Sequence, residues 1–286
     1  MTKLEYTFKN DTLFKMLFVK YPDLLKRLVA ALLGIQVDSI EKFEITNPEM
    51  PPEGIGDKFC RLDINMTVDK RRVDLEIQVK DDNDFAERSL FYWAREYSTA
   101  LGEGGVYTDL PRVIIISIVN FIMFDCVEFH SEYQALEVSR HTSLTDRMSL
   151  IYFELPKLPK SVNIHDGLQL WLKLFDAETE EELKQIEILE APDMQQAIEA
   201  YRSITATEEF RTLERMRSDA RHNEASALNN ARREGAAEER LKWENVVADK
   251  EARNEKQTAH IAEQTAYIAE QTAYIAKLEA LIKKNN

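Results

Sequence analysis

Arg61-Leu62-Asp63-Ile64-Asn65-Met66-Thr67-Val68-Asp69 and Arg72-Val73-Asp74-Leu75-Glu76-Ile77-Gln78-Val79-Lys80 both alternate apolar with polar residues, and only Lys70 and Arg71 separate them. Strict alternation is the period of a half-buried strand, because successive side chains leave opposite faces. The stretch therefore predicts a β-hairpin. In the first strand Leu62, Ile64, Met66 and Val68 share a face, leaving Asp63, Asn65 and Thr67 on the other; in the second, Val73, Leu75, Ile77 and Val79 oppose Asp74, Glu76 and Gln78. Asp63, Glu76 and Gln78 are thus expected on a common polar side. Carboxylates gathered on rigid strands repel one another unless a cation or basic group compensates, so a hard, oxygen-seeking ion such as Mg²⁺ is a natural occupant. A solvated outer sheet face carries the same residue types, and the pattern alone leaves both readings open.

Working outward, the 286 residues are 44% hydrophobic and 9% aromatic, enough to build a buried core. Eight glycines and eight prolines, most of the prolines before residue 160, predict a helical second half with few turns. Cys60 and Cys126 cannot form a disulfide framework, and no CxxC or HxxxH spacing offers a zinc site, which points to a reducing cytoplasm. The longest apolar run, Val113 to Phe124, is broken by Ser117 and Asn120 and is shorter than the roughly 20 residues that span a bilayer. It reads as a buried strand, so no membrane association is expected, and no secretory signal opens the chain.

The net charge of −14 by itself favours a protein partner over a nucleic acid, whose binding rests on phosphate neutralisation by Lys and Arg. Much of the acid, however, is concentrated between Asp176 and Glu190, while Lys9, Lys15, Lys20, Lys26 and Arg27 leave the amino-terminal segment locally basic.

Asn10 or Asp11 is a candidate N-cap for a helix over Thr12 to Val19, with Lys15 four residues after Asp11 on the same side. Pro22 opens a second helix that runs to Leu33 and closes at Gly34. A strand from Ile40 to Ile45, a loop from Pro48 to Gly56 and the hairpin follow. Asp82 or Asn83 is expected to cap a helix reaching Leu101, and strands are expected over Val113 to Phe121 and Leu150 to Leu155. The order is helices, three strands, helix, strand: a compact α/β core over residues 1–160, followed by a helical extension over 161–220 and a helical tail over 221–286. Arg88 and Tyr92 share a helix face, with Arg95 three residues further. Arg88 either pairs with Asp84 on a surface helix or acts as a phosphate clamp, for which the guanidinium fork is suited.

The tail holds a true repeat, Thr258-Ala-His-Ile-Ala-Glu-Gln264, Thr265-Ala-Tyr-Ile-Ala-Glu-Gln271 and Thr272-Ala-Tyr-Ile-Ala-Lys-Leu278. Ile261, Ile268, Ile275 and Ile282 recur every seven residues, with Gln264, Gln271 and Leu278 three residues after an isoleucine. This is the a and d pattern of a short coiled coil, and it predicts a homo-oligomer through the C-terminal helices. A solitary solvated helix is the alternative. Met194 precedes the terminal helices, so initiation there would yield a regulatory C-terminal fragment with the oligomerising segment and without the α/β core.

Taken in order, Lys9-Asn-Asp-Thr-Leu-Phe-Lys15, Arg61-Leu-Asp-Ile64, Leu75-Glu-Ile-Gln78, Arg88-Ser-Leu-Phe-Tyr-Trp93 and Gly105-Val-Tyr107 with Leu110 resemble the Rpn (recombination-promoting nuclease, transposase-like) branch of the PD-(D/E)XK nuclease superfamily. The match continues through Glu154-Leu-Pro-Lys157 and Trp171-Leu172 to about residue 220. The resemblance implies a restriction-endonuclease-like core followed by the α-helical region, and a Mg²⁺-dependent DNA endonuclease, with Mn²⁺ as the alternative ion. Position by position, it puts Asp63 at the Asp of the Pro-Asp pair, with Leu62 in place of the proline, and Glu76 and Gln78 at the (D/E)xK positions. Asp11 falls at the amino-terminal acidic residue. Asp63, Glu76 and the Ile77 carbonyl would hold the metal, Gln78 would position the attacking water, and Lys15, Arg88 and Tyr92 would contact DNA phosphate. Gln78 in place of lysine removes a cation from this arrangement. The resemblance further implies DNA recombination or phage defence. Two other readings stay open: a catalytically weak or inactive nuclease-fold protein that binds DNA or acts as a scaffold, and a transposase that also joins strands.

Overall fold

The computed structural model describes residues 2–47, 64–102, 104–161 and 163–284. Helix α1, Asp11–Lys20, begins where the Asn10 side chain accepts a hydrogen bond from the Leu13 amide at 2.9 Å. Asn10 is therefore the cap, and Asp11 is the first helical residue, where its charge suits the positive end of the helix dipole. Helix α2, Pro22–Leu33, ends at Gly34, whose φ of 64° is the left-handed conformation open to glycine. The strand expected from Ile40 is shorter, β1 at Phe43–Ile45. A 3₁₀ turn over Val37–Ser39 comes first, and the Ile40 carbonyl accepts from Lys26 Nζ at 3.0 Å.

The hairpin forms from β2, Ile64–Val68, and β3, Arg71–Gln78, in antiparallel register with Val68 opposite Arg71. Its turn is Asp69-Lys70, so Arg71 belongs to the strand and not to the connection. Asp69 takes the strained φ of 55°, and its carboxylate accepts from the Glu41 and Lys42 amides at 3.0 Å each, local bonding that lets aspartate tolerate this region. Helix α3 is Phe85–Thr99. Its N-cap position is Asp84, later than the expected Asp82 or Asn83, because Asn83 itself turns the chain at φ 60°. Strands β4, Arg112–Val119, β5, His130–Tyr133, and β6, Met148–Glu154, follow. The short, polar β5 carries no alternation that sequence reading detects.

The six strands form one sheet in the order β1-β2-β3-β4-β6-β5. β3, β4 and β6 pair in parallel, and the flanking pairs are antiparallel. β4 is covered on both faces, which is why it reads as a nearly continuous aliphatic run. Helices α4, Gly167–Asp176, α5, Glu180–Glu187, and α6, Pro192–Thr205, follow, with Asp166 capping α4 and a Thr179/Glu182 capping box opening α5. Helix α7 runs Glu208–Lys284.

One sheet face, with Val73, Leu75, Ile114, Ile116, Ile118 and Phe153, shares a core with Leu17, Leu25, Trp171, Phe175 and Ile198 of α1, α2, α4 and α6, and with Phe210 at the start of α7. The other face packs Val113, Ile115, Val119, Leu150 and Tyr152 against Phe85 of α3. The chain divides into two compact units, Met1–Ser218 and Asp219–Asn286. In the second, every described side chain from 219 to 280 is exposed, the heptad residues Ile261, Ile268 and Ile275 included.

Candidate active site

Alternation along β3 turns Asp74, Glu76 and Gln78 toward α3. The register pairs Asp74 with Asn65 on β2 and Glu76 with Ser117 on β4. Asp63 lies outside the described residues; its chain neighbour Ile64 pairs with Leu75, the residue before Glu76. Glu76 is only 2% exposed. A carboxylate in such a place is costly unless hydrogen-bonded, and Ser117 Oγ donates to its Oε1 at 3.3 Å. Ser117 is in turn the register partner of Tyr152 on β6, whose hydroxyl meets Ser89 Oγ of α3 at 2.5 Å. Burial raises the Tyr152 pKa above its usual range, the Ser89 hydrogen bond opposes that shift, and the Glu76 charge adds to it. A buried polar row thus crosses the sheet beneath α3.

Gln78 ends β3. Its amide nitrogen donates to the Lys80 carbonyl at 2.7 Å and lies 3.5 Å from the Asp82 carboxylate. The same carboxylate is 3.5 Å from Nη1 of Arg88, which also meets Asp84 at 3.7 Å. The predicted Arg88–Asp84 pair is therefore present, and it stands beside Gln78. The Arg88 guanidinium lies 4.8 Å from the Phe85 ring centre, while its Nε and Nη2 have no hydrogen-bond partner among the described residues. Tyr92 is half-buried against the α3 side of the sheet, with the Arg95 guanidinium 5.7 Å over its ring.

The amino-terminal residues approach the same end of the strands. Lys9, 5% exposed, binds Glu178 at 3.1 Å and Asn120 Oδ1 at 3.4 Å, and the Asn120 amide donates to the Gln78 carbonyl at 2.9 Å. Asp11, two residues on, is exposed. Lys15, which the family resemblance puts at a phosphate, is 1% exposed, and its ammonium donates to the Asn47 carbonyl at 2.5 Å. Helix α1 turns this lysine inward.

Alternation put Asp74 on the polar face with Glu76 and Gln78, whereas sequence reading gave Lys9, Ser89, Ser117 and Tyr152 no part in this region. Ser117 had a visible signal, since it interrupts an otherwise aliphatic run; the others are recognised only through their partners. Asp74, 6% exposed, lines a cleft of about 220 Å³ with Asn65, Thr67, Arg72 and Glu96. Glu154 and Lys157 also acquire a definite task. Glu154 accepts from the Met123 and Phe124 amides at 2.7 and 3.2 Å and pairs with Lys157 at 2.7 Å, fastening the loop after β4.

Among the described residues no three His, Cys, Asp or Glu side chains converge as a metal cage. The Glu76 carboxylate and the Ile77 carbonyl are nevertheless hard oxygen donors of the type Mg²⁺ or Mn²⁺ prefers, on a strand held from both sides. The donor chemistry fits a divalent ion.

A family model described as PD-(D/E)XK nuclease family transposase matches residues 8–231, a span that contains the whole sheet and α1 to α6. No curated protein and no solved structure matches the chain. Among the described residues, no helix is long and apolar enough to cross a membrane.

Proposed function

We propose, on the premise that the chain belongs to the PD-(D/E)XK nuclease family transposases, that it is a divalent-metal-dependent endonuclease hydrolysing DNA phosphodiesters. Family membership supports a nuclease- or transposase-like role, and the observation that carries the finer reading is Glu76: a buried carboxylate on a central strand, hydrogen-bonded and followed by the Gln78–Asp82–Arg88 chain. Asp63, Glu76 and the Ile77 carbonyl would hold Mg²⁺. When bound, the ion lowers the pKa of a water and offsets charge developing on the scissile phosphate.

The protein's own residues do the rest. With its nitrogen on the Lys80 carbonyl, Gln78 presents its carbonyl oxygen to a water, which it orients by accepting a hydrogen bond. It supplies no positive charge. Arg88 is joined to Gln78 through Asp82, and with Tyr92 and Lys15 it is assigned to the phosphate. Asp11, at the start of α1, contributes an acidic group at the same end of the sheet. The missing lysine favours one second reading, a nuclease fold that binds DNA with weak or no turnover.

The exposed isoleucines of α7 recur at the heptad interval and support a homo-oligomer through the tail. A fragment beginning at Met194 would keep that seam but remove α6 from the core in which Met194 is buried. Recombination or phage defence is the setting that the family suggests, with the fragment as a regulator. Adding a fragment of residues 194–286 is expected to reduce cleavage by the full chain; unchanged cleavage removes the regulatory role.

The deciding experiment is supercoiled plasmid incubated with the full chain and Mg²⁺ or Mn²⁺, beside Asp63→Ala and an EDTA control. Nicking or linearisation that needs the metal and disappears in the variant is expected. Metal binding without cleavage selects the scaffold reading.

A further inference from the structure

β4 reads Arg112-Val113-Ile114-Ile115-Ile116-Ser117-Ile118-Val119, and Ser117 is its one polar side chain between Val113 and Val119. It is fully buried. A serine in the middle of a doubly covered strand gives up the packing that valine or isoleucine would provide there. What it supplies instead is a hydroxyl opposite Glu76, donating to Oε1 at 3.3 Å.

That hydroxyl answers a geometric need. The sheet fixes the Cα and Cβ of Glu76, but the last torsion of a glutamate is broad and nearly two-fold, so the strand alone does not set the plane of the carboxylate. A donor on the neighbouring strand, at the paired register position, does set it. Mg²⁺ holds its ligands close to ideal octahedral geometry, which makes the direction of that plane consequential.

We propose that Ser117 is a positioning residue, which turns the Glu76 carboxylate into the orientation in which it receives a divalent cation. The proposal rests on the reading of Glu76 as a metal ligand. It sets Ser117 apart from Ser149, another fully buried strand serine, whose hydroxyl donates to Glu132 at 2.6 Å on the outer part of the sheet.

Ser117→Thr and Ser117→Val test the idea, because threonine and valine share a shape and differ in having a hydroxyl or a methyl. Mn²⁺ affinity of the full chain, read by loss of the free-ion electron paramagnetic resonance signal, is expected to weaken about tenfold or more in Ser117→Val, the usual scale for a residue behind a metal ligand. Ser117→Thr and Ser149→Ala should stay within about threefold of the natural chain on that same scale. Ser117→Val should also unfold at a lower temperature than Ser117→Thr, because it takes the hydroxyl donor from the buried Glu76 carboxylate, so affinities are compared below both transitions. Equal affinities of the Val and Thr variants, with Glu76→Gln weakened, overturn the positioning role alone. Equal affinities of the natural chain and Glu76→Gln overturn the metal reading and this role with it.

Discussion

On β3, Val73 and Leu75 point one way and Asp74 and Glu76 the other, yet all four are buried. Toward α1, α2, α4 and α6 the sheet presents aliphatic and aromatic side chains, held by apolar area and close packing. Toward α3 it presents a mixture in which Ser117, Tyr152 and Glu76 depend on particular partners. A buried hydrocarbon tolerates many neighbours of suitable volume; a buried carboxylate tolerates few, because each polar atom must regain what it lost to desolvation. The apolar face thus makes the strands rigid, and that rigidity holds the polar groups of the α3 face in fixed directions.

Adjacent residues on β3 offer the sharpest way to break this contrast. Glu76→Gln keeps the shape and removes the charge, so plasmid cleavage is expected to fall about a hundredfold or more while near-ultraviolet circular dichroism stays unchanged. Undiminished cleavage would remove the α3 face from the chemistry. Leu75→Ala, one residue away on the opposite face, is expected to destabilise by about 2–5 kcal/mol in a urea titration. Its cleavage per folded molecule should hold; a specific loss there would mean the faces are not separable.

Alkaline pH probes the packed side more gently. Burial, followed by the negative charges of Glu180 and Glu5, pushes the Tyr201 hydroxyl up to about 12, and that hydroxyl donates to the Tyr6 carbonyl at 2.8 Å. Below the unfolded value of about 10 the tyrosine is neutral in both states and its contribution is fully present. As pH rises toward the folded value the unfolded chain ionises first, so stability falls by at most about 1.4 kcal/mol per pH unit. Tyr201→Phe should flatten this slope between pH 10 and 12; an unchanged slope assigns the alkaline loss to other groups.

The hairpin, the Pro22 start and Gly34 stop of α2, and the aliphatic centre of β4 were legible because each rests on local rules: side-chain period, the fixed φ of proline, the left-handed freedom of glycine. The cap of α3 and the turn residue of the hairpin were misplaced by one or two positions, since Asn83 and Asp69 adopt positive φ against their general preference. β5 escaped because its four residues gain strand structure from β6 and not from their own pattern. In the candidate site, Glu76, Gln78 and the Arg88–Asp84 pair were readable from alternation and from spacing along a helix. The inward turn of Lys15 was not, since an amphipathic helix does not announce which of its lysines is buried.

Residue order by itself determined which side chains share a face, where α2 begins and ends, and the seven-residue recurrence of the tail, because these depend on neighbours within a few positions. Tertiary structure alone decided that β3 lies beside β4 in the register that sets Glu76 against Ser117, that Tyr152 reaches Ser89, and that Lys9 joins Asn120 to the end of β3. Those pairings link residues dozens of positions apart, and their partners are chosen by burial and polar satisfaction across the whole core, which no local period encodes.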